Sequence, residues 1–253
     1  MKFIKSNIIF IIIIMFWFIA SKSNIWSEYV LPSPQKVLKT FYIETINGNL
    51  IKNIYASLLR VLIGFSIAFI LAFVFGMILG IKPKVFLYFN NIIEFMRNIP
   101  PISLIAILIL WFGIGEKSKI IIIILASFFP ILINIREGIF SVDKKLLEVG
   151  YSLNFSKFKI FFYIILPSAL PEILAGMKIG LGYSFRAIIG AEMIAASSGL
   201  GYMILDAQQL SRSDKVIVGI ITIGILGYLL DRIFYYFIKK FTFYSIEGTN
   251  IDN

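Results

Sequence analysis

The sequence predicts an all-α polytopic membrane bundle of about six transmembrane helices, with a helix-turn-helix loop on its cytoplasmic face. Three observations predict it. Hydrophobic residues make up 59% of the chain and charged residues only 15%, whereas a soluble domain runs nearer half and a quarter. The apolar residues gather into blocks long enough to cross a hydrocarbon core, which takes roughly 20 residues at about 1.5 Å each. Lys and Arg, which give a formal net charge of +10, cluster at the ends of those blocks, where they set membrane orientation rather than contact nucleic acid. The chain has no His and no Cys, which excludes disulfide frameworks, thiol chemistry, His-based metal sites and the usual general base together.

The blocks follow in order. Residues 4–20, within MKFIKSNIIFIIIIMFWFIA, read as an uncleaved anchor. The basic start and the small residues Ser21 and Ser23 also suit a signal peptide, but the apolar run is longer than a usual signal core. Cleavage would also leave an odd number of spans. The second block, 54–80, places Ala68, Ala72, Gly76 and Gly80 at every fourth position, a stripe that lets another helix approach closely. The third, 99–112, is entered through an amphipathic 85–98 and is interrupted by Glu94, Arg97, Pro100 and Pro101, the prolines withholding backbone donors. The fourth covers 118–135. The fifth, 170–195, repeats the small-residue pattern at Gly176, Gly180 and Ser184, and the sixth, 215–238, is thinned by Gly219, Gly224 and Gly227. Organisation follows as a 1–30 anchor with an external segment, a 31–245 membrane domain containing a loop at 137–167, and a 246–253 tail. With an inside N-terminus, eleven basic residues fall on inner segments and eight on outer ones, a positive-inside bias that puts the 136–167 loop in the cytoplasm.

That loop contains LLEVGYSLNFSKFKIFFYIILP, Leu146 to Pro167, which is more than a reversal of direction needs. Asp143 can cap a first short helix with Leu146, Leu147 and Gly150 at helical spacing and Lys144, Lys145 and Glu148 toward water. Asn154 tolerates the left-handed conformation that ends a helix, and Ser156 can cap a second one, carrying Phe158, Phe161, Phe162 and Ile165 until Leu166 and Pro167 stop it.

These residues carry a resemblance. Glu148, Val149 and Gly150, then Asn154, then Leu166 and Pro167 resemble the EAA loop of ABC importer permeases, with Val149 and Gly150 in place of the two Ala and Asn154 in place of the usual Gly. LPSP (31–34), SLLRVLIGF (57–65), RNIPPIS (97–103), WFGIGEKSK (111–119), LPSALPEILAGMKIGLG (166–182), GAEMIAASSGLG (190–201) and GILGYLLD (224–231) resemble, in the same order, the nitrate, sulfonate and taurine branch. The resemblance implies a bacterial inner-membrane subunit, used in two copies, that forms the solute pathway. It implies an ABC ATPase subunit docked on the loop through Glu148, Gly150, Asn154 and Pro167, and an extracytoplasmic solute-binding protein. ATP is then bound by the partner subunit and this chain needs no cofactor and performs no catalysis. Its own GIGEKS (113–118) is no phosphate loop, because Glu116 separates Gly115 from Lys117.

Intramembrane charge is where a solute pathway would show. Lys178 lies close enough to the inner end of the fifth block to snorkel, and Asp231 and Arg232 lie near the inner end of the sixth. Arg186, Glu192 and Pro100 are the pathway candidates. At about 100° per residue Arg186 and Glu192 fall roughly 120° apart on one helix, so each needs a partner on another span, a wet cavity or the interface. A secondary transporter or channel not driven by ATP is the alternative, though it would more often show inverted repeats or ionisable broken helices. The solute stays open between a small anion or sulfonate (nitrate, sulfonates, taurine) and a vitamin-precursor heterocycle.

Overall fold

A computed structural model describes residues 2–23 and 25–242, with side chains described from Ile8 to Lys239. The 246–253 tail lies outside the described residues. The described chain is helical, without strands: α1 (Lys2–Lys22), α2 (Pro34–Ile46), α3 (Asn49–Ile81), α4 (Pro83–Asn98), a 3-10 turn (Pro101–Leu104), α5 (Ile105–Phe112), α6 (Glu116–Phe140), α7 (Lys144–Ser152), α8 (Lys157–Ile160), a π-helical turn (Phe161–Ile165), α9 (Leu166–Ala195), α10 (Leu200–Gln209) and α11 (Ser213–Thr242).

All six apolar blocks appear as helices. Four stretches are long and apolar enough to cross a membrane: Asn49–Ile81, Glu116–Phe140, Lys157–Ala195 and Ser213–Lys239. The interrupted third block is a pair, Pro83–Asn98 and Pro101–Phe112, bent by 84° at the prolines. The described apolar part of α1, Ile8–Lys22, is shorter. Large apolar side chains such as Phe10, Leu87 and Leu110 face outward, as a lipid solvent permits.

The backbone contacts divide the chain into two compact units, residues 1–58 with 192–226 and residues 59–191 with 227–253. The second unit is organised around α6, clasped on two sides by glycine stripes. On α3, a Cβ added at Gly64, Gly76 or Gly80 would meet Ile123, Ile135 or Ile139 within 2.9 Å. The constant spacing makes α3 and α6 parallel. On α9, Gly176 packs on Asn134 and Gly180 on Ile131 and Ser127, while Gly138 of α6 packs on Glu172. Here the numbers run in opposite senses, so α9 is antiparallel to α6. Ala68 and Ala72, between the α3 glycines, are fully buried. Van der Waals contact at this distance, not apolar segregation, holds helices together in lipid. In the first unit, Gly219 of α11 admits Ile204 of α10, and Trp17 of α1 donates its indole N–H to the Pro32 carbonyl at 3.1 Å.

One expectation is corrected. Pro167 does not end the second loop helix: helix continues through it, and through Pro171, to Ala195. The reason is the π-helical turn at Phe161–Ile165, where the Leu166 N–H bonds back to Phe161. One extra residue in the turn widens the ladder where the proline ring would clash and where its N–H is missing.

Candidate coupling loop and intramembrane sites

The loop residues assemble into a small built object. The Asp143 carboxylate accepts from the Lys145 N–H at 2.9 Å, and the Ser156 hydroxyl accepts from the Lys159 N–H at 3.4 Å, so both predicted caps are present. Between them, Asn154 has φ +53. Its N–H donates to the Tyr151 carbonyl at 2.9 Å and the Phe155 N–H to the Gly150 carbonyl at 3.0 Å. That pair of bonds is a Schellman motif with Asn154 in the position glycine normally fills. Gly150 is buried, and a Cβ there would meet Ile164 Cδ1 at 2.6 Å. The glycine therefore seats α7 against the following helix.

The outward side of α7 is apolar. Leu146, Val149 and Leu153 are 47%, 55% and 61% exposed, and their spacing puts them on one stripe. Leu146 thus lies outside the inward face, which is formed by half-buried Leu147 and buried Gly150, the latter against Ile160 and Ile164. Glu148 is exposed beside the stripe and has no ion pair among the described residues. Pro167 sits further along, on the continuous helix.

Of the three pathway candidates, Glu192 is fully buried in the first unit. Both its carboxylate oxygens accept from the Ser57 hydroxyl at 2.8 Å, and one accepts from the Gly201 N–H at 3.0 Å. Ser57 also accepts from the Leu200 N–H, and Asn53 from the Gly199 N–H. Gly199, at φ +117, leaves the space the carboxylate occupies: a Cβ there would lie 2.2 Å from it. A buried carboxylate held this way ties α3, α9 and the turn into α10. Losing one donor strands part of a buried charge, at a cost of about 1–3 kcal/mol. Ser57→Ala is therefore expected to lower the melting temperature of the purified protein, measured by thermal unfolding in detergent, while exposed Ser103→Ala leaves it unchanged.

Arg186 is exposed in the second unit, 5.9 Å from the centre of the Tyr183 ring. It lines a cleft of about 160 Å³ with Asp231, Gly182 and Gly227. Pro100 is exposed at the bend, its carbonyl accepting from the N–H and hydroxyl of Ser103 at 3.0 and 2.7 Å.

Sequence reasoning missed several charged partners. Arg60 of α3, 8% exposed by side chain, forms a two-pronged pair with Glu116 at the start of α6, at 2.7 and 2.8 Å. Buried Lys119 joins the same carboxylate at 2.6 Å. GIGEKS is therefore a helix start with its first-turn acid neutralised by two cations. The signal was available: Arg60 stands alone in the apolar SLLRVLIGF and needs a partner. In the first unit, Thr40 donates to Asp214 at 2.7 Å, Arg212 pairs with Asp214 at 2.8 Å, and Lys215 with Glu44 at 3.4 Å. The Asp214 carboxylate beside it raises Arg212 above its ordinary value, so Arg212 stays cationic.

Residues 72–243 match the model of the binding-protein-dependent transport system inner membrane component family. The chain belongs to this family. It is 39% identical, over 87% of its length and 83% of the relative's, to SsuC of Escherichia coli (strain K12), a protein named for aliphatic sulfonates transport. It is 35% identical to the taurine transport system permease TauC of the same organism, over 87% and 82%. It is 34% identical to the nitrate import permease NrtB of a Synechocystis strain, over 80% and 77%. The fold matches the inward-facing MetNI methionine ABC transporter with a TM-score of 0.71 at 17% identity, covering 79% of this chain and 99% of that one. The protein is thus a multi-pass inner-membrane permease of an ABC importer of the nitrate, sulfonate and taurine type, and not an enzyme.

Proposed function

We propose that the permease carries a small anion, sulfonate or related solute, handed over by an extracytoplasmic binding protein, through a pathway formed with a second copy of the chain. An ABC ATPase, which binds the ATP, docks on the 137–167 loop at the cytoplasmic face. One observation carries the coupling role. α7 shows the stripe Leu146, Val149 and Leu153 with exposed Glu148 beside it, on a base fixed by two caps, a Schellman turn and the Gly150 contact. A free-standing apolar stripe on a rigid loop fits a protein partner better than water. Glu148 supplies the charged contact, and Asn154 sets the angle of the knob. Arg186, whose guanidinium has no ion pair among the described residues, is proposed to face the pathway, with Pro100 as its bend and Glu192 as the strut that holds its outer end. The names of SsuC and NrtB support an anion without choosing one, and that of TauC supports a sulfonate group.

The test is ATP-driven uptake of taurine and nitrate by proteoliposomes holding the permease, its ATPase and its binding protein. Uptake that proceeds without the ATPase would establish the secondary-transporter reading instead. Orientation is checked separately in this cysteine-free chain. Thr40 is buried against Asp214, so exposed Lys39 is the better probe of the external segment. Lys157→Cys is expected to resist an impermeant thiol reagent applied to intact cells, and Lys39→Cys to react with it.

A further inference from the structure

The second unit holds a cavity of about 400 Å³, a size that takes a small solute. It is lined by residues of α4, α6 and α9. Its polar groups are Arg97, Asn134 and Tyr183, no acidic residue lines it, and Leu125, Phe129, Ile133 and Ile179 form an apolar wall. Depth follows from α6. That helix runs from Glu116 to Phe140, and the lining residues Leu125 to Asn134 occupy its middle. Arg97, an exposed side chain of α4, lines the same cavity as these mid-helix residues, and it has no hydrogen bond or ion pair among the described residues. A guanidinium in that position is costly unless it meets water or an anion, and such groups mark pathways.

Backbone irregularity converges on the same place. Pro130 withholds the N–H that the Ala126 carbonyl would accept, and both line the cavity. The bent pair opens there too: Pro101, the first residue of its second half, is part of the lining. Broken helices at membrane depth persist where they line a cavity, and the start of a helical segment adds positive potential. The Asn134 amide donates to the Pro130 carbonyl at 2.8 Å, which fixes its orientation.

We infer that this cavity is an anion-binding station of the permease itself, in which Arg97 grips the oxyanion head of a small organic anion and the Leu125–Phe129–Ile133 wall holds its apolar body. The inference rests on the importer reading and narrows it: a sulfonate with an alkyl body fills both halves of the cavity, whereas nitrate meets only the cation. Arg97 offers planar, two-pronged donors suited to an oxyanion, which lysine does not.

The experiment measures equilibrium binding of radiolabelled butanesulfonate to the purified permease–ATPase complex without binding protein, with nitrate as competitor, alongside uptake by the complete system. Arg97→Gln is expected to weaken butanesulfonate binding roughly tenfold or more, and Arg97→Lys to recover part of it. Phe129→Ala is expected to weaken butanesulfonate and leave nitrate competition unchanged. Unaltered assembly with the ATPase shows that each variant has folded, and the Lys variant repeats the test with the charge kept. Wild-type uptake of butanesulfonate with binding unaffected in Arg97→Gln would overturn the station and leave the importer reading intact. Nitrate binding as tightly as butanesulfonate would overturn the organic-anion assignment. ATP-dependent uptake of neither anion by wild type would overturn the importer reading for anions and this inference with it.

Discussion

Gly76→Leu is expected to eliminate recovery of folded permease from detergent, whereas Gly224→Leu on another span leaves the yield at the wild-type level. The difference lies in what each new side chain meets. At Gly76 the first added carbon would sit 2.8 Å from Ile135 Cγ2, 2.9 Å from Ile135 Cβ and 3.2 Å from the Leu132 carbonyl oxygen. Cβ and carbonyl atoms are fixed to the backbone of α6, and Ile135 is fully buried and stiff about χ1. Nothing can rotate away, so the helices must separate. A single misplaced methylene in a packed core costs about 1–3 kcal/mol, and here an isobutyl group enters a seam whose attraction depends on close approach. At Gly224 the added carbon meets nothing within 4 Å and the position is exposed. Yield and monodispersity after size-exclusion chromatography compare the two. Equal recovery would show that the α3–α6 seam tolerates a gap, against the role given to the stripe.

Asn154→Val is expected to uncouple the importer: normal insertion, but loss of most binding-protein-stimulated ATP hydrolysis and uptake. Asn154→Gly is expected to stay near wild type, with Asn154→Ala between. Asn154 holds φ +53, a region that costs an ordinary L-residue about 1–2 kcal/mol, less for Asn, nothing for Gly and most for a β-branched residue. Valine relieves that strain by opening the turn, which breaks the Tyr151 and Gly150 bonds and reorients the Leu146–Val149–Leu153 stripe. Reconstituted complexes provide the measurement. Full coupling in Asn154→Val would show that the loop is only a connection.

The local devices of the loop were readable because each is set by neighbours in the chain. Asp143 and Ser156 cap the next residues, and Asn154 turns left-handed, through interactions spanning two to five positions. Pro167 misled because its effect depends on the helical ladder before it. A π-turn, which no single residue signals, removed the clash. The charges of Arg186 and Glu192 imply partners elsewhere, but nothing in the sequence points to Ser57 or the Gly201 N–H, since neither carries a charge that advertises it.

The sequence by itself determined the class, the apolar blocks, the interruption at Pro100 and Pro101, the glycine stripes and the caps, because composition, periodicity and φ preference act over a few residues. Only the tertiary structure decided which charges met. Arg60 found Glu116 across 56 positions and Glu192 found Ser57 across 135, while Arg97 entered a cavity with no acid in its lining. In a low-dielectric bundle every ionised group must be paired, wet or bound. That requirement states that a partner exists; helix packing alone selects it, because glycines at Gly76 and Gly180 set which residues of α6 face α3 and α9.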